Sequence, residues 1–165
     1  MSDSCCCPDE AGKASCDLSL EQPEAGRLKN INCPHCGQQG KRIEGQTLKA
    51  MLSVSLRETR EDEYRFCCTG TCPVVYFAGQ GDQVFTTSEV REKVYQKEPQ
   101  AEDVLVCYCF NHAAGDIRSA PPSEGGSILA DIQTGIKLGQ CACDLRNPQG
   151  SCCLGNVSAL ISGDD

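Results

Sequence analysis

Cys33-Pro34-His35-Cys36-Gly37 and, further along, Phe66-Cys67-Cys68-Thr69-Gly70-Thr71-Cys72-Pro73 are the stretches on which the reading of this chain turns. Two residues between Cys33 and Cys36 let a tight knuckle aim both sulfurs at one point, and Gly37 follows where the backbone must turn sharply. The second stretch offers three thiols. Adjacent side chains on extended backbone point to opposite faces, so Cys67 and Cys68 do not both serve one ion. Cys67 ends an apolar strand and leaves a four-residue turn before Cys72. The expected ligand set is therefore Cys33, Cys36, Cys67 and Cys72, with Cys68 as the substitute for Cys67. Four thiolates in this arrangement suit tetrahedral zinc in a closed, structural site. His35 lies inside the knuckle and reads as an exposed residue rather than a ligand.

The composition agrees with metal-built folding. Cysteine accounts for 15 of 165 residues, aromatics are scarce and tryptophan is absent. A short chain with 16 glycines cannot rest on apolar burial alone and calls for metals or disulfides. The opening Met1-Ser2-Asp3-Ser4-Cys5 has neither a basic nor an apolar leader, and no stretch reaches the ~20 apolar residues of a membrane span. A reducing, cytoplasmic compartment is expected, where cysteines serve metals. The odd cysteine count and the adjacent pairs also fit a disulfide framework poorly. A formal charge of −8 argues against nucleic acid, because thiolate-held zinc or an iron–sulfur cluster adds negative charge.

Working outward, residues 1–30 read as a flexible tail carrying Cys5, Cys6, Cys7 and Cys16. Residues 31–97 read as the zinc-binding lobe, with a helix near Thr47–Leu52. Strands follow at Tyr64–Phe66 and Val74–Phe77, and Gly79–Asp82 turns into Val84-Phe85. Residues 98–103 are a polar linker. Residues 104–165 form a second lobe. It starts with a strand at Val104–Val106 and a short helix capped by Asn111 and running through Ile117. Pro121–Gly126 is expected as a loop. Ser127 is expected to cap a helix with Ile128, Leu129, Ile132 and Ile136 on one face, ended by Gly139. Leu154–Ile161 is a final helix.

The second lobe carries six further cysteines: Cys107-x-Cys109, Cys141-x-Cys143 and Cys152-Cys153. Asn147-Pro148-Gln149-Gly150 makes a good β-turn, which folds the last pair back towards the middle one. Six thiols compete for four places, and spacing alone leaves zinc and a [2Fe-2S] cluster equally open. Thiol catalysis with His112 is a third reading, for which the sequence offers no acidic partner to orient the imidazole.

Val106-Cys107-Tyr108-Cys109-Phe110 resembles the opening of the bacterioferritin-associated ferredoxin-like [2Fe-2S] domain. The knuckle, Phe66-Cys67…Cys72-Pro-Val-Val-Tyr-Phe77, Cys107-Tyr-Cys109 and Asn147-Pro-Gln-Gly-Ser-Cys-Cys153 occur together in order. They resemble the N-terminal domain of the iron–sulfur and zinc form of the CopZ copper-chaperone family, over about residues 31–161. The resemblance implies zinc on Cys33, Cys36, Cys67 and Cys72. It implies a [2Fe-2S] cluster on Cys107, Cys109, Cys143 and Cys153, with Cys141 and Cys152 as alternatives. It further implies copper or another soft metal as cargo, one-electron reduction of Cu(II) to Cu(I), and a copper-transporting ATPase or a redox protein as partner. Family chaperones carry a further domain with a Met-x-Cys-x-x-Cys loop. No such loop occurs through Asp165, so copper delivery is not carried over. The Cys5-Cys6-Cys7 tail is either an incidental extension or a hook for Cu(I).

The expectation is thus a small, loop-rich α+β protein of two metal-stabilised lobes, one zinc-ribbon-like and one helical and cluster-binding. Its role is metal trafficking linked to electron transfer, without membrane insertion. The rival reading is a redox-silent module that binds or sequesters zinc or another soft metal.

Overall fold

The computed structural model describes residues 32–80 and 82–163. The Cys5, Cys6, Cys7 and Cys16 tail lies outside the described residues. The chain is a mixed helix-and-sheet protein. A four-stranded sheet has the order β1-β2-β3-β4, all neighbours antiparallel: β1 Lys41–Arg42, β2 Tyr64–Phe66, β3 Val74–Ala78 and β4 Val84–Thr86. Every residue of β3 is buried, as its unbroken apolar run requires. A register shift between Val74 and Tyr76 divides its side chains. Val75, Tyr76 and Ala78 join a core with Leu48, Met51 and Leu52. Val74 and Phe77 instead pack beneath Cys33, Cys67 and Cys72. A bulge re-aims side chains in this way, and here it gives the cysteines an apolar floor.

Helix α1, Gly45–Met51, supplies Leu48 and Met51 to the first core. The strand β1 had no apolar signal in the sequence. It forms where Gly40 lets the chain pass against the Phe77 ring, which a Cβ there would meet at 2.4 Å.

The remaining elements are a β5–β6 hairpin (Leu105–Cys107 and His112–Ala113) and helices α2 Ala114–Ser119, α3 Pro122–Lys137, α4 Cys143–Arg146 and α5 Leu154–Ser162. They enclose a second core of Val104, Val106, Ile117, Ile132, Val157 and Leu160. Residues 98–103 run between the two cores, with Pro99 O accepting from Arg118. The two cores are tied together by polar contacts. Tyr76 Oη donates to Pro148 O at 2.7 Å, and Tyr108 Oη donates to Lys93 O at 2.7 Å. Among the described residues, no helix is long and apolar enough to cross a membrane.

Two local expectations are corrected. Asn111 does not cap a helix: it takes φ 58° in the tight turn between β5 and β6, and α2 starts after Ala113. Asparagine tolerates the left-handed conformation that such a turn needs. Nor is Pro121–Gly126 a loop ended by a Ser127 cap. Helix α3 starts at Pro122, more than one and a half turns earlier than expected. Proline at the first helical position has its φ already set and lacks only an N–H that would go unbonded there. The apolar face of Ile128, Leu129, Ile132 and Ile136 does pack on the second core, and Gly139 follows the helix at φ 68°.

Candidate metal centres

The knuckle is closed by its own backbone. Cys33 N donates to Gln38 O and Gly37 N to Cys33 O, both at 2.8 Å, with Gly37 at φ 72°. Across from it, Cys67 leaves β2 with its N–H on Val75 O, and Cys72 closes a turn onto Thr69 O. These two loops bring the sulfurs of Cys33, Cys36, Cys67 and Cys72 all within 4.8 Å of one another. Cys33 and Cys72 Sγ are 3.9 Å apart, and Cys36 and Cys67 Sγ 3.6 Å apart. Sulfurs on a tetrahedral zinc at ~2.3 Å stand about 3.8 Å from each other, so this cage fits the ion. Cys68 points out to solvent while its neighbour Cys67 is buried. His35 is exposed, with Nδ1 at 3.5 Å from Cys72 Sγ.

The cage is electrostatically uneven. A hydrogen bond between Thr69 Oγ1 and Cys36 Sγ, 3.4 Å, favours the thiolate and is the largest cause holding Cys36 down at about 6. Burial pushes Cys72 up to about 12 and raises Cys33. Four thiolates cannot gather here without a cation, and an entering divalent ion displaces the remaining protons.

The second set is arranged differently. Cys109 and Cys143 Sγ are 3.8 Å apart, and Cys109 Sγ also accepts from Ala142 N at 3.3 Å. Cys107 and Cys153 are both buried, and the interaction between their thiols lowers Cys107 to about 6 and raises Cys153. Burial, then the neighbouring Cys109, pushes Cys143 up to about 12. Among the described residues, the only group of three or more metal-ligating atoms within 4.8 Å of one another is the first cage. The second four therefore do not converge on one point. Four thiols spread in this way fit a group larger than a single tetrahedral ion. Cys152 is exposed and Cys141 half-buried.

Two neighbours of these sites escaped the sequence reading. Thr69 could have been suspected, since it lies inside the Cys67–Cys72 turn. Asp131 could not: it comes from α3 and meets His112 Nε2 at 3.0 Å, supplying the acidic partner that the sequence did not reveal. Asp131 is largely exposed, and His112 pairs across the hairpin with Cys107 through its backbone.

Residues 30–91 match the family model zf_CopZ, described as a zinc binding domain, a span that includes all four cysteines of the first cage. Over 130 residues the chain is 32% identical to the copper chaperone CopZ of Archaeoglobus fulgidus. That stretch is 79% of this chain and 61% of the archaeal protein. The X-ray structure of the N-terminal domain of the same chaperone superposes with a TM-score of 0.60 at 26% identity. The match covers 79% of this chain and 97% of that domain.

Proposed function

From its likeness to the CopZ chaperone and to the CopZ zinc-binding domain, we propose that this chain is a metallochaperone-type protein of cytoplasmic copper trafficking. It holds zinc on Cys33, Cys36, Cys67 and Cys72, and a [2Fe-2S] cluster on Cys107, Cys109, Cys143 and Cys153. Copper, as cargo, is the substrate. A copper-transporting ATPase or a redox protein is the macromolecular partner.

The observation that carries this reading is the difference between the two cysteine sets. One is a single four-sulfur cage, whereas the other four sulfurs do not converge on one point and only Cys109 and Cys143 stand as a close pair. The first suits a closed structural ion, because no position is left for water. When bound, a [2Fe-2S] cluster supplies one electron per cycle, the number that converts Cu(II) to the Cu(I) that thiolates pass on. The protein's own residues set the environment of that electron. Cys107 and Cys153 are buried beside Val106 and Val157. Cys109 and Cys143 are half-buried, so that side of the site lies nearer to solvent and to an incoming ion. The Ala142 N–H on Cys109 Sγ stabilises negative charge on the outer pair.

A visible absorption spectrum of anaerobically purified protein tests the reading. Sulfur-to-iron charge-transfer bands, bleached by dithionite and accompanied by reduction of added Cu(II), are expected. A colourless protein that still binds zinc would favour a redox-silent zinc or soft-metal module.

A further inference from the structure

The 147–153 segment decides where Cys153 points, yet it belongs to no sheet. Its shape rests on side-chain amides. Asn147 Nδ2 donates to Ser151 O at 2.8 Å. Gln149 Nε2 donates to Cys152 O at 3.1 Å and to Ser151 O at 3.3 Å, so one amide holds the two carbonyls just before Cys153. The other end of the same amide faces across the molecule. Gln149 Oε1 accepts from Gln96 Nε2 at 2.6 Å, and also from Asn156 Nδ2 at 3.2 Å.

Gln96 in turn lies against the first cage. Its carbonyl is so close to Gly70, in the Cys67–Cys72 turn, that a Cβ there would meet it at 3.0 Å. The next residue, Lys97, donates from Nζ to Thr69 O at 2.8 Å, and Thr69 Oγ1 is hydrogen-bonded to Cys36 Sγ. An unbroken chain of contacts thus runs from Cys36 through Thr69, Lys97, Gln96 and Gln149 to the Cys152–Cys153 loop. Lys41 Nζ also reaches Ser151 Oγ, but that bond is exposed and competes with water. Gln96 and Gln149 are both half-buried, where an unmet amide is costly.

Resting on the two-centre reading above, we propose that Gln149 is a positioning residue for the cluster site, and that Gln96 couples it to the zinc cage. Filling the cage fixes the Thr69–Gly70 turn. The turn fixes Gln96, and Gln96 holds the Gln149 amide over the carbonyls that aim Cys153 at Cys107. Zinc therefore protects the cluster although it shares no ligand with it. Coupling of this kind is reciprocal, so an intact cluster also slows zinc loss.

The test uses the full chain, purified anaerobically with zinc and iron bound. Bleaching of the visible bands by an iron chelator and the visible circular dichroism are recorded, with zinc content and far-ultraviolet dichroism as controls. Gln149→Leu and Gln96→Leu are expected to keep zinc and helix content, to alter the visible dichroism, and to bleach about fivefold faster, the change from losing a hydrogen bond of about 1 kcal/mol. Gln96→Lys keeps a donor for Gln149 Oε1 and is expected to retain the wild-type rate. Cys33→Ser, which weakens zinc binding, is expected to accelerate bleaching in the wild-type background and to add little on top of Gln96→Leu. Unchanged bleaching and dichroism in both leucine variants would overturn the proposal, as would an equal effect of Cys33→Ser in both backgrounds. A wild-type chain with no iron chromophore would instead overturn the two-centre reading on which it rests.

Discussion

At the scale of single residues, the adjacent cysteines are the most instructive. Neighbouring side chains on extended backbone must diverge, and they do: Cys67 is buried while Cys68 is exposed, and Cys153 is buried while Cys152 is exposed. That much was legible from spacing, because local backbone geometry decides it. Which of Cys141 and Cys143 lies beside Cys109 was not legible. It depends on α4 and on Cys109, thirty-four residues away in sequence, which places its sulfur beside Cys143. Serine at Cys107, Cys109, Cys143 or Cys153 is expected to abolish or shift the visible chromophore. The double change Cys141→Ser/Cys152→Ser is expected to preserve it, and a lost chromophore in that double variant would reassign the ligands. The cage makes a separate pH prediction. At pH 7 the thiol of Cys72, pushed up to about 12, and that of Cys33, also raised, still carry protons that a zinc ion must displace. Cys36, held at about 6, joins them only below that pH. Apparent zinc affinity should therefore rise with pH throughout, and more steeply below about pH 6 than above it. Competition with a chromophoric zinc chelator between pH 5 and 8 measures this, and a flat profile would exclude these thiols as ligands.

At the scale of elements, apolar runs and turn residues made the main strands and helices legible. The strands at Tyr64–Phe66 and Val74–Ala78 and the helix over Leu154–Ser162 lie where hydrophobic patterning placed them. The turn at Asn147–Gly150 closes with Gly150 N on Asn147 O at 2.8 Å, as its proline and glycine predict. What patterning missed is stabilised from outside. Strand β1 is a Lys-Arg pair held by its register with β2, and α4 is a four-residue turn that packs on α1. Helix α3 was misjudged at its start because Pro-Ser-Glu-Gly-Gly reads locally as a loop, whereas its apolar face gains from packing that local propensity cannot register. Gly135 is buried on that face, with no space above it: a Cβ would meet the Phe110 ring at 2.2 Å. Gly135→Ala is therefore expected to lower stability by about 1–3 kcal/mol despite alanine's better helix propensity. Chemical denaturation checks this. Because Phe110 adjoins Cys109, the variant is also expected to perturb the visible spectrum. A stabilised protein with an unchanged spectrum would mean that α3 does not seat on Phe110.

At the scale of the whole molecule, two modest cores and two cysteine sites share one chain. Each cysteine set is assembled from segments far apart in sequence, so a bound metal closes loops that apolar contacts alone hold weakly. Structural zinc contributes roughly 10–16 kcal/mol in small motifs, comparable to the whole stability of an ordinary domain. The cages and the cores are therefore expected to be lost together. A net charge of −8 sets the surface apart from that of nucleic-acid binders and suits attraction of cations. The likeness to a copper chaperone spans most of this chain, and the chain spans 61% of that chaperone. Copper handling by this molecule is thus a proposal, and the metals it holds decide it. The most direct test is combined zinc, iron and acid-labile sulfide analysis of the full chain purified without oxygen. One zinc, two iron and two sulfide per chain are expected, with zinc lost and iron retained in part when Cys33 is changed to serine. Zinc at both cysteine sets, with neither iron nor sulfide, would contradict it.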